Sequence, residues 1–173
     1  RFQNNIGGGH VWHDDEQALY WVDIAGKTIN RYKPDTAQHE IYPVDSEVGV
    51  VALRENGGFV TAGSRGFGFW TLGLKQLSYF KDPEADQPAS RFNDGKVDRK
   101  GRFWAGTMTP TDAVSALYRL DPYLSVHTIE EGLTISNGIG WSPDHGVMYF
   151  VDSLRYIIYA YDFEFESGEV ANR

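Results

Sequence analysis

Short aromatic hairpins recur along this chain at nearly constant spacing, and this repeat limits the folds open to it more than any other feature. Each repeat has a polar turn, an aromatic strand, a corner of small residues and a second strand. The aligned aromatic positions Tyr20, Phe59, Phe103 and Tyr149 lie 39, 44 and 46 residues apart. Hairpins with a period in the low forties, and no helical periodicity, are typical of a β-propeller with one four-stranded blade per repeat.

Burial explains why such repeats stack. A small sheet has two faces to cover, and neighbouring blades cover both of them. A β-sandwich with accidentally regular hairpins is the alternative, but the correspondence recurs at all four turns and favours the propeller. The sequence therefore predicts an all-β chain, with residues 1–173 forming one propeller domain of about four blades. The predicted strands are 19–24, 28–32, 58–62, 68–70, 102–106, 116–120, 147–152 and 157–161.

Composition excludes several classes of function. The 16 Lys and Arg against 24 Asp and Glu give a net charge of −8, which argues against nucleic acid as a partner. The chain has no cysteine, so disulfides, thiolate metal sites and cysteine nucleophiles are excluded. No apolar run approaches the roughly 18 residues that span a bilayer, and no secretory signal is visible. We therefore expect no membrane partner and a cytoplasmic location.

Several motifs resemble the SMP-30/gluconolactonase/regucalcin family, and the resemblance runs along essentially the whole chain. The central motif is Arg-Phe-Asn-Asp-Gly-Lys-Val-Asp at 91–98, followed by Gly-Arg-Phe-Trp-Ala-Gly-Thr-Met at 101–108. A second motif is Ile-Ser-Asn-Gly-Ile-Gly-Trp-Ser-Pro-Asp at 135–144, followed by Tyr-Phe-Val-Asp-Ser at 149–153. Val11-Trp12, leading to 19–24, is similar to the family's first blade.

The resemblance implies a six-bladed propeller that hydrolyses sugar lactones or related esters, with a divalent cation near the central channel. That cation would be Ca²⁺, or alternatively Zn²⁺, Mn²⁺ or Mg²⁺, and the partner would be a small-molecule lactone. Asn137 matches a metal ligand of the family. Asn93 matches a position that contacts substrate or metal-bound water, and it is a second candidate ligand. Arg91 matches a substrate-contacting position.

Two departures from the family pattern bear on activity. Gly8 stands where the family has a glutamate ligand, and His10 stands where it has a proline. The later aspartate of the family, its general base, would lie beyond Arg173, so no catalytic base is assigned in this sequence. Ligand charge sets much of a site's affinity for hard cations, and two neutral amides supply none. We therefore expect this chain alone to bind metal weakly or not at all.

The residues themselves leave structural alternatives open. Asn93 and Asn137 both lie in ordinary turn sequences, since asparagine tolerates left-handed conformations and bonds to its own backbone. Arg91 is equally suited to a surface ion pair with Asp94 or Asp98.

Two further features predict structural roles. Asp23 and Asp152 end equivalent strands in two repeats, which favours hydrogen bonds to a turn backbone. The acidic, proline-bearing loop 81–88 is predicted to be solvated.

Two functions therefore remain. The first is a lactone hydrolase of the gluconolactonase type; the second is a non-catalytic propeller that binds Ca²⁺ or a protein partner, favoured by the missing side chain at Gly8. A four-blade arc would also expose apolar sheet faces, so self-association through those faces is expected.

Overall fold

The computed structural model describes residues 2–109 and 114–173, and the regular secondary structure of this part of the chain is almost entirely β-strand. Its one helical element is the short 3₁₀ turn Pro34–Thr36. No helix in this part of the chain is long and apolar enough to cross a membrane. The strands are β1 Gly7–His13, β2 Ala18–Asp23, β3 Thr28–Lys33, β4 Gln38–Pro43, β5 Val48–Leu53, β6 Phe59–Gly63, β7 Gly66–Trp70, β8 Ser78–Lys81, β9 Arg91–Val97, β10 Phe103–Met108, β11 Ser115–Leu120, β12 Val126–Leu133, β13 Ser136–Trp141, β14 Val147–Asp152, β15 Ile157–Phe163 and β16 Val170–Ala171.

The strands form four antiparallel sheets of four, and the sheets correspond to the four predicted repeats. In each sheet the spatial order follows the chain, as β1-β2-β3-β4, β5-β6-β7-β8, β9-β10-β11-β12 and β13-β14-β15-β16. A four-stranded antiparallel meander is the blade of a β-propeller. The predicted all-β propeller fold is confirmed, with four blades of chain present.

The prediction identified the second and third strands of each blade and missed the first and fourth strands of all four. Among the missed first strands, β5 is rich in valine, whereas β1, β9 and β13 are rich in glycine, asparagine or other polar residues. Such residues have low intrinsic strand preference. They become strands because a strong neighbour supplies a hydrogen-bonding edge, which is a tertiary effect.

The chain divides into two compact units of two blades each, one ending at Phe92 and the other running from Asn93 to Arg173. In the first unit the core lies between the two sheets. Tyr20 packs 4.7 Å from Phe59 and Phe59 packs 5.2 Å from Trp70, measured between ring centroids. In the second unit Trp104 packs edge-on against Trp141 and Phe163. The prediction of a single domain over 1–173 remains a prediction.

Tyr149 shows how repeat position controls burial. It lies three residues before Asp152, as Tyr20 lies three residues before Asp23. Tyr20 is fully buried against the next blade, whereas Tyr149 is 44% exposed. On the same face lie Val151, two residues further along β14, and Ile158, which pairs with Val151 and is 70% exposed. This face of the fourth blade, which we call the outer face, is therefore apolar and accessible.

Candidate functional site

The side chains of Asn93 and Asn137 lie in direct contact, although 44 residues separate them in the sequence. Asn93 is on β9 and Asn137 on β13, the first strands of the two blades in the second unit. The Nδ2 of Asn93 donates to the backbone carbonyl of Ser136 at 2.9 Å and to the Oδ1 of Asn137 at 3.0 Å. Both side chains are only half-buried. The two asparagines that the sequence singled out therefore form one polar cluster open to solvent.

A β-bulge presents Asn137 in this position. The register of β13 on β14 shifts between Asn137 and Ile139, so Gly138 is an extra residue with a φ of 44°. That left-handed conformation favours glycine. A Cβ on Gly138 would also lie 2.9 Å from the side chain of Val151. The Ser-Asn-Gly sequence is therefore a bulge within β13 and not the turn that was the structural alternative, and this bulge places the Asn137 amide in the cluster.

Asp94 anchors this bulge to the neighbouring blade. Its Oδ2 accepts the backbone N–H of Gly138 at 2.8 Å, and its Oδ1 accepts the N–H of Gly95 at 2.9 Å. Both oxygens of the carboxylate therefore already bond to backbone donors. Asp94 acts here as a tie between β9 and β13.

Gly106 allows the two blades to approach closely beneath the cluster. A Cβ on Gly106 would lie 2.3 Å from the Cβ of Ser136, a separation that side chains do not tolerate. Ser136 is almost fully buried there, and its carbonyl is one of the two acceptors for Asn93. The glycine of the Trp-Ala-Gly-Thr sequence is therefore required by this contact.

Arg91 lies in the first unit and has an acidic partner that the sequence did not indicate. Its Nε is 3.7 Å from Oε2 of Glu47, and its Nη1 donates to the carbonyl of Phe92 at 3.1 Å. Burial lowers the pKa of the Arg91 guanidinium, and the charge of Glu47 acts in the opposite direction. The proposed ion pairs with Asp94 or Asp98 do not describe this arginine, because its ion pair forms with Glu47. Asp98 instead accepts from Arg102 and Trp104.

The structural interpretation of Asp23 is confirmed. Its carboxylate accepts three backbone N–H groups, from Asn5, Ile6 and Gly26, at 2.9 to 3.2 Å. Burial raises the pKa of Asp23, but these three hydrogen bonds outweigh it and hold the pKa below its ordinary value. Asp23 therefore fixes the loop that leads into β1.

Asp152 performs the same structural role in the fourth blade. It accepts the backbone N–H groups of Thr134 and Ile135 at 3.2 and 3.3 Å, and also the hydroxyl of Thr134. It is fully buried and pairs with Arg155 at 3.3 Å. Each aspartate thus holds the segment that enters the first strand of its blade, so their equivalence in the repeat has a single physical cause.

The loop 81–88 is mostly exposed, as expected, but Glu84 is an exception. The Glu84 side chain is buried, and the hydroxyl of Ser90 donates to its Oε2. A buried carboxylate needs such donors, because an unpaired charge away from water is costly. Charge and proline content suggested exposure, and nothing local in the sequence distinguished this carboxylate from its exposed neighbours.

Gly8 occupies the same place in the first blade as Asn137 in the fourth. Gly8 pairs with Val22 just before a bulge, and Asn137 pairs with Val151 just before a bulge. A Cβ on Gly8 would meet no atom within 4 Å. The first blade therefore presents no side chain at this position, although there is space for one.

The side-chain oxygens of the asparagine cluster suit a hard divalent cation, but the cluster offers such a cation little negative charge. Amide oxygens such as those of Asn93 and Asn137 are suitable ligands for Ca²⁺ or Mg²⁺. Over residues 2–109 and 114–173, no three His, Asp or Glu side chains converge in a way that suits a metal ion. The asparagine cluster could thus contribute two neutral ligands. The roles of Asn93, Asn137 and Arg91 in binding remain predictions.

Comparison with known proteins identifies relatives along the whole chain. Regucalcin of Danio rerio is 37% identical over 175 residues, covering 99% of this chain and 59% of its own length. A crystal structure of regucalcin, a calcium-binding protein from Agrobacterium tumefaciens, has a TM-score of 0.92 at 19% identity, over 99% of this chain and 59% of that one. A gluconolactonase from Xanthomonas campestris has a TM-score of 0.81 at 20% identity, over 99% and 62%.

The matches cover nearly all of this chain but only part of each relative. This chain spans about 59% of the length of the curated relative from Danio rerio, and the two low-identity structures bear on the fold alone. The sequence model of the SMP-30/Gluconolactonase/LRE-like region matches residues 6–173. Since that match covers nearly the entire sequence, the chain belongs to the SMP-30/gluconolactonase/LRE-like family.

Proposed function

We propose that this protein is a hydrolase of the gluconolactonase type, which opens sugar lactones or related esters at the asparagine cluster. The observation that carries the proposal is the direct contact between Asn93 and Asn137. Two polar side chains from separate blades meet at a half-buried position, in a chain of this family. Such a cluster can bind a small polar ligand through several convergent hydrogen bonds.

The proposed roles follow from the atoms available. Asn137 Oδ1 accepts one hydrogen bond from Asn93, and a carbonyl oxygen has room for a second donor or a cation. Asn93 and Asn137 would hold a divalent cation, which when bound would polarise the lactone carbonyl and acidify a water molecule. Arg91 is proposed to contact a hydroxyl or carboxylate of the substrate, since its guanidinium presents a fork of donors.

Metal binding by this chain should be weak. The two amides carry no charge, both oxygens of Asp94 bond to backbone N–H groups, and Gly8 offers no side chain. Ca²⁺ takes roughly six to eight oxygen ligands, and its affinity falls as carboxylates are removed. We expect a dissociation constant of about 10⁻⁴–10⁻³ M for Ca²⁺. A calorimetric titration that gave submicromolar affinity would contradict this account of the donor set.

Hydrolysis of a panel of sugar lactones, with EDTA and then with each of Ca²⁺, Zn²⁺, Mn²⁺ and Mg²⁺, tests the function. We expect turnover that depends on added cation and falls about 10²–10³-fold in Asn137→Ala, as when a polar group that stabilises a transition state is removed. Asn56→Ala is the matched control, because Asn56 lies exposed in the turn before β6. Equal turnover in wild type and Asn137→Ala would reject the assignment of this site.

The second candidate function is a non-catalytic propeller that binds Ca²⁺ or a protein. The empty position at Gly8 favours it, since a carboxylate is missing where there is room for one. A folded protein that hydrolyses no lactone with any of the four cations would support this candidate over the hydrolase.

Self-association is proposed as a property of the outer face of the fourth blade. Tyr149 and Ile158 are exposed there beside Val151, and contiguous apolar surface favours association. Sedimentation velocity over a concentration series should show a species larger than the monomer, which Ile158→Lys removes. Ile41→Lys is the control, because Ile41 is also exposed but lies on β4 of the first blade. A monomer at all concentrations would contradict the proposal.

A further inference from the structure

We propose that Ser153 is a positioning residue of the candidate site, which fixes the Asn137 amide with its oxygen turned toward Asn93. The inference rests on the proposed function, because it concerns the same cluster. Ser153 follows Asp152 at the end of β14, and its hydroxyl accepts the Nδ2 of Asn137 at 2.7 Å. Ser153 ends the Tyr-Phe-Val-Asp-Ser motif at 149–153, but nothing in the sequence assigned it a role.

The orientation of both amides follows from one backbone group. The carbonyl of Ser136 can only accept, so the group that Asn93 presents to it at 2.9 Å must be the NH₂. The same NH₂ faces Asn137 at 3.0 Å, so Asn137 must present its oxygen there. The NH₂ of Asn137 is then turned the other way, where the hydroxyl of Ser153 receives it.

Ser153 is itself held in place by the turn that it begins. Its N–H donates to the carbonyl of Ile135 at 3.0 Å, and its carbonyl accepts the N–H of Tyr156 at 3.2 Å. The neighbouring Asp152 is fully buried and bonded to the segment before β13. The hydroxyl is therefore carried by a fixed backbone, which suits a group that orients another.

This orientation leaves the Oδ1 of Asn137 in a fixed position from which it can bind a ligand. With the amide oriented in this way, Asn137 Oδ1 accepts one hydrogen bond from Asn93 and keeps a second lone pair for a ligand. If Ser153 lost its hydroxyl, the NH₂ of Asn137 would lose its partner and the amide could rotate. Removing a partner of this kind typically costs 10–100-fold in activity or metal affinity.

The test compares Ser153→Ala and Ser153→Thr with wild type in the full chain. The first readout is the NMR signal pair of the Asn137 side-chain NH₂, assigned by its loss in Asn137→Asp. We expect Ser153→Ala to shift this pair and speed its exchange with water, and Ser153→Thr to restore it. The second readout is lactone hydrolysis, in which we expect kcat/KM to fall about 10-fold or more in Ser153→Ala and recover in Ser153→Thr.

Ser142→Ala is the matched control. Ser142 follows β13 at its other end, where its hydroxyl bonds to Asp144 and accepts the N–H of Val147. We expect this variant to leave the Asn137 NH₂ signals unchanged. An unaltered Asn137 pair in Ser153→Ala would overturn the inference. If wild type hydrolyses no lactone, the proposed function fails, while the NMR comparison still decides the role of Ser153.

Discussion

Replacing Arg102 by alanine is expected to lower the free energy of unfolding by about 3–5 kcal/mol, because it leaves a buried aspartate without its counter-charge. Arg102 and Asp98 are 5% and 7% exposed, and Nε of the arginine lies 2.6 Å from Oδ2 of the aspartate. Asp98 also accepts the indole N–H of Trp104 at 3.0 Å. Neither the Arg102 nor the Asp98 side chain can reach water without disturbing the packing around it.

Arg102 also holds the fourth blade against the third. Its Nη1 and Nη2 donate to the carbonyls of Glu166 and Phe165 in the loop between β15 and β16, at 3.1 and 2.8 Å. Gly168 in that loop has a φ of 71°, and a Cβ there would lie 2.4 Å from Nη1 of Arg102. The alanine variant therefore loses the contact between the blades as well as the ion pair.

Urea unfolding followed by far-UV circular dichroism measures this loss. The control is Lys100→Ala, whose exposed ion pair with Glu166 reaches the same loop and should contribute less than about 1 kcal/mol. The double variant Asp98→Asn/Arg102→Met should recover part of the loss, since it removes the stranded charge. If Arg102→Ala and Lys100→Ala lowered the free energy of unfolding equally, burial would not determine how much the Arg102–Asp98 ion pair stabilises the protein.

Replacing Trp70 by alanine is expected to cost about 3–5 kcal/mol in the first unit, through loss of buried surface and the cavity that remains. Trp70 is 1% exposed, with ring centroids 5.2 Å from Phe59 and 5.6 Å from Tyr42. Its indole N–H donates to the carbonyl of Leu74 at 2.8 Å. The Trp70 side chain thus contacts β4, β6 and the loop that follows β7.

Two further variants separate packing from hydrogen bonding at this position. Trp70→Phe keeps most of the ring contact and loses the indole donor, so we expect a smaller cost of about 1–3 kcal/mol. Trp12→Ala serves as the control, because Trp12 is 42% exposed and should change stability little. The same unfolding experiment applies. A Trp70→Ala protein as stable as the Trp12 variant would mean that the core can close over the missing ring.

The sequence alone predicted the two central strands of each blade and the number of blades, because these signals are local. Aromatic and β-branched residues between glycine and aspartate turns specify the hairpins, and their spacing specifies one blade per repeat. It also predicted the role of Asp23 and Asp152, since recurrence at equivalent strand ends pointed to a shared backbone function. The family motifs further directed attention to Asn93 and Asn137 before their contact was known.

Only the tertiary structure decided which groups meet. Arg91 pairs with Glu47, Asn93 reaches Asn137, and the hydroxyl of Ser153 orients that amide. These partners are 16 to 44 residues apart, and their contact depends on how one strand packs against another. The burial of Glu84 and the exposure of Tyr149 have the same origin. A residue's own chemistry determines the strand it favours, whereas its partners depend on distant segments that only the folded chain brings together.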